Sequence, residues 1–123
     1  MLDALACMWL INYNLKMIEV LRYQSKDRKV PVTEWLESLK DKKAQAKIRI
    51  RLRRLESGNF GDCSSVGEGV VELREHLGEG FRIYFGRHGK TVVILLCGGS
   101  KKSQEADIKT ARDYWSDWKQ RQK

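Results

Sequence analysis

Two runs in the second half of the chain carry side chains able to act on a phosphodiester. In VVELREH, Val71 and Leu73 share one face of an extended strand, while Glu72, Arg74 and His76 share the other. In FRIYF, Phe81, Ile83 and Phe85 alternate with Arg82 and Tyr84 in the same way. With the apolar faces turned toward helices, Arg74, His76, Arg82 and Tyr84 are expected on the open face of one sheet, as a polar concavity. Such a set suits metal-independent RNA cleavage: the ribose 2′-hydroxyl attacks the adjacent phosphate, a base takes its proton, and fixed cations stabilise the charge-rich transition state. The acidic residues show no carboxylate or histidine cluster of the usual metal-site kind, so neither a metal nor a cofactor is expected.

The elements that must position these residues are legible in the spacing of apolar side chains. MIEVLRY, residues 17–23, reads as a first strand near a sheet edge. Pro31 followed by Trp35, Leu36 and Leu39 predicts a short helix over 31–40. Ala44, Ile48, Leu52 and Leu55 form the stripe of a second helix, ended by Gly58. Val70 to Glu75, Phe81 to Phe85 and Thr91 to Cys97 read as strands of an antiparallel meander, separated by glycines. TVVILLC is apolar throughout and is expected at the sheet centre, covered on both faces. Ile108, Ala111, Trp115 and Trp118 then place one aromatic face on a final helix, where Trp115 and Trp118 are read first as packing residues.

Composition narrows the class. A chain of 123 residues has room for one domain, and 41% hydrophobic with 33% charged residues excludes both a disordered tail and a membrane protein. Lys and Arg number 24 against 16 Asp and Glu, and the formal charge of +8 favours polyanions through counterion release. Much of that charge falls on the second helix, where Lys43, Lys47, Arg49, Arg51, Arg53 and Arg54 are candidate RNA contacts, against a plainly solvated face. Cys7, Cys63 and Cys97 are odd in number and far apart, without a CxxC pair, as suits a reducing cytoplasm. Cys97 reads as a small buried hydrophobe. Residues 1–16 lack a basic leader and are too short in apolar stretch to anchor the chain. The strand pattern opening at Met17 marks them as an extension upstream of a domain over 17–123, with an amphipathic helix as the rival reading.

GNFGD followed by SVGEGVVELRE, then GEGFRIYFG, then VVILLCGGSKKSQEADIKTA, resembles the addiction-module killer proteins, a HigB-like branch of the RelE/ParE toxin superfamily. The resemblance covers about residues 17–120 in unbroken order. It implies a compact α+β fold of the RelE type, with two N-terminal helices and a C-terminal helix on a curved antiparallel sheet of about four to five strands. It also implies a type II toxin that cleaves messenger RNA on the ribosome, monomeric alone and neutralised by a helix-turn-helix antitoxin. ParE-like members of the superfamily instead poison DNA gyrase, so a gyrase inhibitor, or a basic protein that only binds nucleic acid or antitoxin, remains open.

The same resemblance assigns roles. Arg74 matches the family's arginine after a strand leucine and is assigned to the scissile phosphate, as a forked permanent cation. Arg82 is assigned to phosphate positioning or to holding Glu72, with a strand salt bridge as the plain alternative. Lys101 and Lys102, after GGS, fall where RelE-like toxins place a cationic catalytic residue. Where the family's ribonucleases often have tyrosine or histidine near the start of the last helix, this chain has Asp107 and Ile108. The general base is therefore open among His76, Tyr84 and a lysine whose pKa neighbouring cations lower. His88 reads as a solvated turn residue.

Overall fold

The molecule is described by a computed structural model over residues 17–123. The expectations for residues 1–16 lie outside the described residues. In chain order the elements are β1 (Glu19–Arg22), α1 (Pro31–Ser38), α2 (Lys42–Glu56), β2 (Cys63–Ser65), β3 (Val70–Glu75), β4 (Phe81–His88) and β5 (Val92–Ser100). A short 3-10 turn (Lys101–Ser103) leads into α3 (Gln104–Arg121).

Local chemistry explains the helix boundaries. Pro31 opens α1, where its missing N–H removes no helical bond. The Asp41 carboxylate caps α2 by accepting from the amides of Lys43 at 3.0 Å and Ala44 at 3.2 Å. Gly58, at φ 83°, adopts the left-handed conformation that ends the helix. Glu105 and Asp107 at the start of α3, and Lys119 and Arg121 at its end, match the helix dipole.

The strands form one five-stranded sheet in the order β1-β5-β4-β3-β2, the α+β architecture expected from the sequence. From β2 to β5 the pairing is antiparallel, but β1 docks parallel to β5, with Glu19 opposite Val92 and Arg22 opposite Leu95. The whole of α1, α2 and three strands forms the crossover such a pair needs. β5 is interior and apolar on both faces, as expected, although β4 is the middle strand.

One expectation is corrected: the second face of the sheet is not open. Leu73, Phe81, Ile83 and Phe85 pack with α1 and α2 on one side. On the other, Val70, Tyr84, Ile94 and Leu96 pack beneath Ala111 and Trp115 of α3. Trp115 is buried, and it lies against Gly86 so closely that a methyl group there would overlap the indole. A register shift between Tyr84 and Phe85 lets Leu96 and Cys97 both join the α3 side. Beyond it, Gly98 accommodates the ring of Trp35 and Gly99 the carboxylate of Asp107, so the two glycines seat helices on opposite faces.

Candidate functional site at the end of the sheet

Cross-strand register places Arg74 of β3 directly opposite Arg82 of β4. Two like charges in that position repel, and the chain inserts a carboxylate between them. Oε1 of Glu72 lies 3.1 Å from Nε of Arg74 and 3.6 Å from Nε of Arg82. Its other oxygen accepts from the Tyr84 hydroxyl at 3.1 Å and from the Gln104 side chain at 2.8 Å. Glu72 is 1% exposed, so a buried carboxylate that accepts from Arg74, Tyr84 and Gln104 lies between the two arginines. On the sheet itself, one carboxylate serves both guanidinium groups. Nε of Arg82 is moreover buried without a hydrogen-bond acceptor.

The rim is completed by loops. Ser64 of β2 accepts from Arg74. The carboxylate of Asp62 lies 3.6 Å from Nη1 of Arg74 and 2.6 Å from Nε2 of His76. Those contacts, the His76 hydrogen bond foremost, hold the Asp62 carboxyl below its ordinary range. His76 is exposed, with Nε2 engaged by Asp62 and Nδ1 on the other side of the ring. Across the site, the Lys101 amide donates to the Gly80 carbonyl at 3.3 Å, and Gly80 in turn abuts Nη1 of Arg82. Lys101 therefore stands beside Arg82, and both Lys101 and Lys102 are exposed at the approach to α3.

The residues singled out in the sequence thus separate into three groups. Arg74, His76, Arg82 and Lys101 converge, with Lys102 next to them on the same turn. Tyr84 does not belong with the candidate bases: it is fully buried under α3, and burial together with the neighbouring Glu72 charge raises its pKa. Its hydroxyl supports Glu72. Arg82 has the strand salt bridge to Glu72 and also a position beside Lys101.

The basic helix α2 is the third group, and its cations divide between inward pairs and exposed positions. α2 packs on the side of the sheet opposite Glu72 and Tyr84. Arg51 is turned inward, donating to the Arg74 carbonyl at 2.5 Å and to Glu75 at 3.3 Å, and Lys47 lies 3.6 Å from the same Glu75. Lys43, Arg49, Arg53 and Arg54 remain exposed. Among the residues that sequence reasoning passed over, Asp62 and Gln104 join the site although neither belongs to a periodic pattern; Glu72 was visible only as a partner for Arg82.

Elsewhere, burial pushes the Cys97 thiol up to about 12, in keeping with a packing role. His88 ends β4 and meets the edge of Trp118 at 5.2 Å, so it is more than a turn residue. Among the described residues no three His, Cys, Asp or Glu side chains gather as metal ligands, and no helix is long and apolar enough to cross a membrane.

The sequence profile of the phage-derived protein Gp49-like family (DUF891) matches residues 34–116, well over half of the chain. The chain belongs to this family, which is associated with toxin–antitoxin addiction modules and so with an antitoxin partner. A Haemophilus influenzae protein of uncharacterised function is 50% identical over 78 residues, spanning 63% of this chain and 79% of that relative.

Proposed function

We propose that this chain is a toxin of the RelE/HigB kind that cleaves messenger RNA on the ribosome in the cytoplasm and is held inactive by its antitoxin. The observation that carries the reading is the Arg74–Glu72–Arg82 cluster, two guanidinium groups drawn to one buried carboxylate beside an exposed imidazole. A phosphodiester seats on the partly exposed Arg74, with Arg82 behind it, where the forked guanidinium matches two phosphate oxygens. His76, oriented by Asp62, takes the proton of the 2′-hydroxyl as the oxygen bonds to phosphorus. The bond to the 5′-oxygen breaks, leaving a 2′,3′-cyclic phosphate, and the ammonium group of Lys101 or Lys102 protonates the departing oxygen. Arg74 stabilises the equatorial oxygens as charge accumulates on them.

The test is cleavage in a translating extract, mapped by primer extension, with wild type, Arg74→Ala, Arg74→Lys and His76→Gln compared. Arg74 is tied to Glu72, Asp62 and Ser64, so its alanine variant also loses structural contacts; lysine keeps the charge and removes only the fork. Cuts inside translated frames are expected with wild type, none with either Arg74 variant, and a rate lowered by about 10²–10⁴-fold with His76→Gln. A folded wild-type protein that arrests growth but leaves messenger RNA whole would overturn the ribonuclease reading and favour a gyrase target.

A further inference from the structure

On the side of the molecule away from Arg74 and Arg82, a groove of about 280 Å³ runs between α2 and β1. Val20, Leu52 and Leu95 form its apolar floor; Arg22, Arg49 and Arg53 stand along it, with Glu56 the single carboxylate. β1 is the edge of the sheet among the described residues. The amides of Glu19 and Tyr23 donate inward, to the carbonyls of Thr91 and Leu95, at 2.7 Å and 2.8 Å. By strand alternation, the amides and carbonyls of Val20 and Arg22 point the other way, along the outer edge. The amide of Ile18, also on that edge, is taken by the Glu56 carbonyl at 3.0 Å, which closes one end.

We infer that this edge is where the antitoxin binds, through an acidic extended segment that adds a strand beside β1 and sends alternate side chains into the groove. The inference rests on the family's partnership with an antitoxin and is independent of the ribonuclease chemistry. Two features select a peptide over RNA. The outward amides and carbonyls are spaced for a β-ladder, and the floor is apolar and suits aliphatic side chains. Three arginines against one glutamate select acidic residues on that peptide, by the same charge complementarity that sets register and on-rate at other interfaces. The cationic flank of α2 thereby has a use distinct from the catalytic face.

The full chain and the full-length antitoxin encoded with it provide the experiment. Affinity is measured for wild type, Arg49→Glu/Arg53→Glu and Arg49→Lys/Arg53→Lys, and amide hydrogen exchange at Val20 and Arg22 is followed with and without antitoxin. Both arginines are exposed, and a thermal melt checks that each variant is folded. Charge reversal is expected to weaken binding by about tenfold or more, the lysine variant to retain most of it, and both amides to become protected only in the complex. Equal affinity of the charge-reversed variant, with unprotected amides in the complex, overturns the docking site while leaving the antitoxin partnership standing. Failure of the wild type to bind antitoxin overturns both. Protection of Val20 and Arg22 in the chain alone would assign the edge to residues 1–16, and protection by an RNA oligonucleotide would assign it to RNA; either overturns the proposal.

Discussion

Replacing Glu72 by glutamine keeps the size of the side chain and removes its charge. In the native site this carboxylate is the negative group within salt-bridge reach of Arg82, whose side chain is 9% exposed, and it also separates Arg82 from Arg74. Removing one partner of a buried ion pair costs about 3–5 kcal/mol, since the remaining charge is left in a poor solvent. The amide oxygen of glutamine can still accept from Tyr84 and Gln104, recovering about 1 kcal/mol. A net loss of about 2–4 kcal/mol is a large part of the 5–15 kcal/mol typical of a domain. At roughly 4 °C per kcal/mol for a chain near 100 residues, Tm falls by about 8–16 °C. Losing the carboxylate leaves both guanidinium groups without it, so sulfate should raise the Tm of Glu72→Gln by more than it raises that of wild type, whose shift combines the general effect of the salt with sulfate on Arg74. The assay is a pair of thermal melts with and without sulfate. A variant melting within about 2 °C of wild type, well inside the expected loss, would refute this account of the cluster, as would equal sulfate shifts.

Two further outcomes concern the frame around the site. Trp115→Ala is expected to cost about 3–5 kcal/mol, because the indole fills the space over Gly86 and stacks on Trp118 at 5.2 Å; a denaturant midpoint equal to that of wild type would contradict it. Tyr23 stacks on Tyr114 and donates to Asp117 at 2.7 Å, and burial first, that bond second, push its phenol from 10.0 to about 12. A raised folded value means stability complete below the ordinary phenol pKa and lost as pH climbs through the folded one. Tyr23→Phe has no proton to lose, so its Tm should fall less steeply than that of wild type between pH 10 and 12; parallel alkaline curves would count against the assignment.

Local periodicity made most of the fold readable. Alternation in VVELREH and FRIYF assigned every face correctly, and the Ala44 to Leu55 stripe assigned the buried side of α2. The error about the open face was avoidable: a strand apolar on both sides, such as Val92 to Cys97, requires cover on both sides, and the Ile108 to Trp118 stripe was available to supply it. The parallel docking of β1 had no local signal, because which strand receives an edge is decided by the connection and not by the strand's own residues. β2 escaped notice for a similar reason, three residues of Cys-Ser-Ser having little strand propensity of their own. Within the site, Arg74 and Arg82 were legible from parity, whereas Asp62 sits beside a glycine in a loop, where no period marks one acid from another. Arg51 looked like its neighbours on α2, and only the third dimension shows it turned toward Glu75.

The parallel partnership of β1 with β5 also sets a clock. A ribosome adding about 5–20 residues per second takes roughly 4–15 seconds to pass from Arg22 to the Leu95 that pairs with it. Through that interval the first strand waits without its neighbour. Gln104, which completes the shell around Glu72, and the lysines before it are made later still. A chain cut short, or still in synthesis, therefore lacks the assembled Arg74–Glu72–Arg82 cluster, and a partner can meet the protein before that end of the sheet is complete.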